Sequence, residues 1–266
     1  MKVAALKWTD EKVKEYSPKK FSIEMLEKAK KENVEIICFP GLFGELFMNE
    51  KHFLRFFKEE SKKYKEMYIC SGSILAEEDG RTFHKSYLFK NGEIILEQKQ
   101  LYLSTWEKER GLSRGENLNI TRVGSKSFAI LLPTDQFYPQ VSRYVALKNV
   151  NIVLAPSAVL SAHTEALQRS GLWQNVQQNL FFAIESAYVG KMYKLEFSSK
   201  SIIHAPFQLT EEKDGILMKD KEEESLISGE VDLDELKEIQ KKDKQLRHLD
   251  SSVYQNIFKK GSDRHV

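Results

Sequence analysis

Short apolar runs alternate with longer amphipathic ones along this chain, and that alternation constrains the fold more than any other feature. Val3 to Trp8 reads as a strand. Phe21 to Glu32 spaces Ile23, Leu26 and Ala29 about three apart, as a helix with one apolar stripe does. Val34 to Phe39 is a second strand, stopped by Pro40-Gly41, and His52 to Tyr64 a second helix. Met67 to Leu75 is a third strand. Phe83 to Phe89 and Glu93 to Leu103 flank Asn91-Gly92, the strongest hairpin signal present, because both residues tolerate positive φ. Phe128 to Leu132 and the fully apolar Val150 to Ala155 read as strands around a helix at Val141 to Lys148. A long helix is expected from Ala166 to Ser186, then strands at Tyr188 to Tyr193, Ser201 to Ala205, Gly215 to Met218 and Leu226 to Val231. Asp232 to Lys242 is a short helix. Strands alternating with helices, then more strands, imply an α/β layered fold.

The 266 residues contain no internal repeat and no linker rich in Pro, Gly or Ser. One domain over 1–266 is expected, with 243–266 as a C-terminal tail. Lys+Arg 41 against Asp+Glu 39 leaves a net charge of +2, and basic residues are interleaved with acids, so neither nucleic acid nor a membrane surface is an expected partner. No apolar run approaches the roughly 20 residues that span a bilayer. The opening Met1 to Trp8 turns polar too soon for a signal peptide. Two cysteines, Cys38 and Cys70, make neither a disulfide framework nor a metal-ligand spacing. A cytoplasmic protein with no cofactor is expected.

Several motifs lie in order along the chain. They are Phe39-Pro40-Gly41-Leu42-Phe43-Gly44, Lys99-Gln100-Leu101-Tyr102-Leu103, and Pro133-Thr134-Asp135-Gln136-Phe137-Tyr138-Pro139-Gln140. Leu154-Ala155-Pro156-Ser157, Trp173 with Ala183-Ile184-Glu185-Ser186, and Leu226 to Leu236 follow, and Arg247 to Tyr254 is a faint last echo. The ordered set resembles the nitrilase (carbon–nitrogen hydrolase) superfamily over nearly the whole chain. An acidic residue, Glu107 or Glu109, and Gly115 also fit. The resemblance implies a four-layer αββα sandwich and dimers packed through helices. It implies hydrolysis of a nitrile or amide by a cysteine thiolate, with a glutamate as general base and a lysine stabilising the oxyanion.

Here Gly41 stands where that glutamate is expected, Gln100 where the lysine is expected, and Pro133 where the cysteine is expected. Covalent catalysis needs a nucleophile within reach of a base. Pro133 offers neither a nucleophilic atom nor a backbone N–H, and loss of one oxyanion donor commonly costs about 10²–10³ in rate. A one-residue slip would put Lys99 at the lysine position, but Tyr102 and Leu103 fit the family's His-Leu better in the unslipped register. Cys38 shares strand parity with Ile36, opposite Phe39 and Gly41, so it reads as a core thiol. Cys70 reads the same way, Glu45 as a solvated loop residue, and Trp8 and Trp173 as core. A retained pocket would be lined by Glu107, Glu109, Thr134, Asp135, Ser157 and Trp106. Two functions are therefore weighed. One is a pseudoenzyme that binds, regulates or scaffolds, as a homo-oligomer. The other is a hydrolase of small amides or nitriles with a relocated nucleophile (Cys38, Thr134 or Ser157). His163 and His204 are the histidines considered as a base for it.

Overall fold

Strand β1 (Lys2–Thr9) is apolar on both faces because it is covered on both. Val3 and Ala5 point to one side, and Ala4, Leu6 and Trp8 to the other. A computed structural model describes residues 1–13, 17–160, 165–221, 224–243, 245–253 and 255. After β1 come α1 (Asp10–Val13), α2 (Pro18–Lys31), β2 (Ile36–Cys38), α3 (Glu50–Lys63), β3 (Tyr68–Glu78), β4 (Arg81–Lys90) and β5 (Glu93–Lys99). Then follow α4 (Thr105–Glu109), β6 (Ile120–Val123), β7 (Lys126–Ile130), α5 (Pro139–Leu147), β8 (Ile152–Ser157), α6 (Glu165–Gln168) and α7 (Gln174–Asn179). The chain continues with β9 (Phe182–Met192), β10 (Leu195–Phe197), β11 (Ile202–His204), β12 (Ile216–Lys219), β13 (Leu226–Glu230) and α8 (Leu233–Lys242).

The strands join in the order β5-β4-β3-β2-β1-β9-β8-β7-β6. β1 belongs to both halves of that order. Its first part pairs with β2 and β13, and its last three residues, Lys7 to Thr9, pair with β9. Three apolar clusters fill the spaces between layers. Val3, Ile36, Cys38, Phe128, Ile152, Leu154 and Ile184 meet between the two halves of the sheet. Ala4, Leu6, Trp8, Ile37 and Phe39 pack against α2 and α3 on one outer face. Ala129, Leu131, Val153 and Ala155 pack against α5 and α7 on the other. This is the expected αββα sandwich. On α3, Phe53 and Phe57 sit edge-on at 5.1 Å, and Phe57 meets Phe39 edge-on at 5.0 Å, a geometry that adds about 0.5–1.5 kcal/mol per pair beyond the area buried. α2 begins at Pro18 rather than the expected Phe21: the Ser17 hydroxyl accepts from the Lys20 N–H, and Pro18 occupies the first turn.

One expected element is wrong. The helix of 166–186 ends at Asn179, and residues 182 to 192 are the central strand β9. Leu180 closes the helix in the left-handed region, φ 55° and ψ 68°, a place where glycine is usual and no sequence signal marked the stop. Phe182-Ala183-Ile184 lies between two covered faces, so its continuous apolar run carries no period that separates strand from helix. β6 and β10 are not among the expected strands, and β5 stops at Lys99 rather than Leu103. Trp8 is core, but Trp173 is half-buried, its indole N–H donating to the Asp214 carbonyl at 2.7 Å.

Candidate active site

Gly41, Gln100 and Pro133 follow the ends of β2, β5 and β7, and all three are buried. Beyond the carboxyl ends of strands is where open α/β sheets place their ligands. At Gly41 the backbone is pressed against β8: its N–H donates to the Ser157 carbonyl at 3.2 Å. A Cβ built at this position would lie 2.7 Å from the Ser157 carbonyl carbon and 2.9 Å from the Ala158 nitrogen. Both are backbone atoms, which cannot rotate aside. The next residue, Leu42, is held at φ 55° with its side chain buried. A non-glycine residue there is strained, and such strain persists only where surrounding structure fixes it.

What fixes it is a buried chain of hydrogen bonds. The Leu42 N–H donates to the Ser73 hydroxyl oxygen at 2.8 Å, and Ser73 Oγ is 2.7 Å from His84 Nε2. His84 Nδ1 is 2.8 Å from Glu107 Oε1. Because Leu42 donates into Ser73, the serine proton is free to point at Nε2, and the neutral imidazole then carries its own proton on Nδ1, facing the carboxylate. The other carboxylate oxygen of Glu107 accepts from Gln100 Nε2 at 2.7 Å, from the Ser104 hydroxyl at 2.6 Å and from the Ser104 N–H at 2.8 Å. Thr134 adds a long contact at 3.4 Å. Burial pushes the Glu107 carboxyl up, but hydrogen bonds from His84 and Ser104 outweigh it and hold the group below its ordinary range. The relay spans five separate segments and includes Gln100, Leu42 beside Gly41, and Thr134 beside Pro133. Gln100, not Lys99, reaches Glu107, since Lys99 turns away to Glu78 at 2.6 Å.

Ser73–His84–Glu107 has the order and distances of a hydrolytic triad. Its serine, however, is 0% exposed, as are the walls that Leu42 and Phe43 form beside it. Sequence reasoning missed Ser73 and His84. The overlooked signal is Asp79-Gly80, a two-residue turn with both φ positive that pairs Glu78 with Arg81. Counting back, Leu75 faces His84, which makes Ser73 and His84 diagonal neighbours on one face of the hairpin.

The remaining expected pocket residues scatter. Glu109 is exposed. Trp106 is half-buried, its ring 6.1 Å from Phe197 and 6.2 Å from Tyr193. Ser157 is buried in a second network, donating to Glu185 Oε1 at 3.0 Å and Gln136 Oε1 at 3.2 Å, while His204 Nε2 is 2.8 Å from Glu185 Oε2. His204 is therefore a core residue, and His163 lies outside the described residues. Cys38 and Cys70 are register partners on neighbouring strands, both buried, and burial pushes the Cys38 thiol up. Glu45 is not the solvated residue its loop suggested: its carboxylate accepts the Leu75 N–H at 2.7 Å, and burial raises its pKa. Among the described residues no group of three or more His, Cys, Asp or Glu is placed to hold a metal ion. No helix among them is long and apolar enough to cross a membrane.

Asp135 braces the loop after β5, accepting the N–H groups of Leu101 at 3.0 Å and Tyr102 at 2.8 Å. Burial raises its pKa to about 7, the nearby Glu107 charge adding to the rise and the two N–H groups opposing it. The folded value lies above the unfolded one, so its contribution to stability is complete below pH about 4 and is lost as pH climbs through about 7. In a carbon-detected NMR titration the Asp135 carboxyl resonance moves near neutrality; a midpoint near 4 would contradict this.

The family model of carbon–nitrogen hydrolases matches residues 19–241. The chain belongs to the carbon–nitrogen hydrolase family. It is 24% identical over 216 residues to a Bacillus subtilis (strain 168) protein described as "Probable hydrolase YhcX", covering 78% of this chain and 42% of that protein. The chain thus spans about two fifths of that relative's length. Among solved structures it resembles a carbon–nitrogen hydrolase from Helicobacter pylori G27, with a TM-score of 0.79 at 16% identity over 97% of this chain and 98% of that one. It also resembles a double mutant of the amidase from Nesterenkonia sp. AN1 in complex with acrylamide, with a TM-score of 0.77 at 15% identity over 96% of each chain. A member of branch 10 of the nitrilase superfamily from Saccharomyces cerevisiae gives 0.73 at 16% identity over 91% of this chain and 93% of that one. These likenesses are of fold.

Proposed function

We propose that this carbon–nitrogen hydrolase family member has lost the cysteine-dependent reaction and serves as a binding, regulatory or scaffolding pseudoenzyme. The packing at Gly41 carries the reading. A general-base glutamate needs a side chain at that position, and the first carbon of one would lie 2.7 Å from the Ser157 backbone. Pro133 supplies no nucleophile. Gln100 spends its amide N–H on Glu107 rather than on a reacting oxygen. A single domain working as a cytoplasmic homodimer belongs to the same proposal. Tyr144 and Leu147 on α5, 45% and 52% exposed, support a dimer packed through helices.

A second reading, a hydrolase with a relocated nucleophile, draws support from the Ser73–His84–Glu107 geometry more than from Cys38, Thr134 or Ser157. One experiment separates the two. The native protein is incubated with a panel of small amides and nitriles, and in parallel with a fluorophosphonate and with iodoacetamide. The pseudoenzyme reading expects no turnover, no labelled serine, and both thiols labelled only after denaturation. Turnover that scales with protein, together with label on Ser73, would transfer the case to the second reading.

A further inference from the structure

On the outside of the β4–β5 hairpin, away from the buried relay, a cavity of about 450 Å³ is lined by Arg81, Phe83, Lys99, Arg114, Glu116 and Asn117, among others. The volume is in the range of small-molecule sites. Its far wall is the loop of residues 113–119, which is pinned rather than loose. Ser113 N–H donates to the Thr82 carbonyl and Gly115 N–H to the Gln100 carbonyl, each at 2.7 Å. Gln98 Nε2 donates to the Asn117 carbonyl at 2.8 Å, and Asn119 N–H returns to Gln98 Oε1 at 2.8 Å. Gly115 lies so close to Lys99 that an added Cβ would be 2.8 Å from the Lys99 Cβ, so only a glycine lets the wall approach the strand. The cavity is therefore formed before anything enters it.

Its charges are unevenly satisfied. Glu78 lies between two lysines, 2.6 Å from Lys85 and 2.6 Å from Lys99, and Lys85 is also 3.6 Å from Glu97. Hydrogen bonds from those lysines hold the Glu78 carboxyl at about 2, so it stays ionised and occupied. Arg81 and Arg114 are different. Arg81 lies over the Phe83 ring at 5.1 Å, and among the described residues neither guanidinium has a carboxylate partner. The lining also carries three carboxylates: Glu78 and Glu97 are engaged by the lysines, and Glu116 lacks a partner among the described residues.

We propose that this cavity binds a small metabolite through an oxyanion group, a phosphate or a carboxylate, held by Arg81 and Arg114. Two guanidinium forks present planar donors matched to such oxygens, which a pair of lysines would not. The side-chain amide of Asn117 is at hand for a neutral part of the ligand. The proposal goes beyond the loss of hydrolysis and does not depend on it, because the cavity shares no residue with the Ser73–Glu107 relay.

The test is a titration of the whole protein with inorganic phosphate, and separately with malonate, at low ionic strength, followed by amide chemical shifts and calorimetry with chloride as the ionic-strength control. Saturable binding is expected for at least one of the two, and which one saturates distinguishes a phosphate from a carboxylate ligand. The double variant Arg81→Gln/Arg114→Gln should weaken it at least about tenfold, and Glu116→Gln should tighten it. Both arginines are exposed, so the double variant is expected to keep the parent's melting temperature. No saturation above the chloride control, or binding unchanged in the double variant, overturns the proposal. Either result leaves the amide and nitrile assays untouched, so failure here and failure of the pseudoenzyme reading are read separately.

Discussion

Gly41→Glu, alone or combined with Gln100→Lys and Pro133→Cys, is expected to lower the melting temperature and to restore no hydrolysis of amides or nitriles. The obstruction is backbone: Ser157 and Ala158 stand 2.7 and 2.9 Å from the new Cβ, and Gly41 itself is bonded to Ser157. Forcing extra atoms into a packed interior costs about 1–3 kcal/mol and sometimes more. In a protein of this size that is a drop of several degrees. A carboxylate buried there without donors adds a desolvation penalty. Gln100→Lys alone should be mild by comparison, because an ammonium at that position would face the Glu107 carboxylate that Gln100 now meets at 2.7 Å. Thermal melts of the single and triple variants, run beside an amide assay, check both halves. Turnover in the triple variant would mean that β8 yields where the geometry says it cannot.

Removing the hub of the relay should have the largest effect on stability. Glu107→Ala strips partners from His84, Gln100 and Ser104 at once, and it breaks the capping of α4, where the Glu107 carboxylate accepts the Ser104 N–H. Each buried donor left without its acceptor costs about 1–3 kcal/mol, and with several lost at once the fall is on the order of 10 °C here. Glu107→Gln keeps the shape but puts donors against donors, and should fall between the parent and the alanine variant. The pH dependence gives a signature. Because the Glu107 carboxyl is held below its ordinary value, the stability it supplies is present above pH about 4 and drains away in acid. The alanine variant should therefore show a shallower acid limb in urea titrations. An equal acid slope in parent and variant would assign the acid sensitivity to other carboxylates.

The layers of this fold were legible because strand parity is local. Val3 and Ala4 alternate between two cores, and Cys38 shares its face with Ile36 while Phe39 takes the other, as the spacing required. The end of the helix before β9 was not legible, since Leu180 takes the left-handed turn without the glycine that announces one. The three substituted positions could be read one motif at a time. Their surroundings could not. Ser73 and His84 could have been brought together by the Asp79-Gly80 turn, but nothing in the separation of 23 residues between His84 and Glu107 says that they touch. Glu45 was misjudged for a related reason: the Leu75 N–H that it satisfies lies 30 residues away.

The sharing of β1 between both halves of the sheet has a consequence for how the chain is made. Leu6 donates to a serine 180 residues later, and the Met1 backbone meets Val231, 230 residues on. A ribosome adding roughly 5–20 residues per second takes on the order of ten seconds or more to deliver those partners. During that interval an apolar strand has β2 beside it and nothing on its other edge, the arrangement most open to pairing with a neighbouring chain. Neither half of the sheet closes until the segments after residue 180 emerge, so completion is a late event, and a nascent chain halted before β9 is the form of this protein that most needs a chaperone.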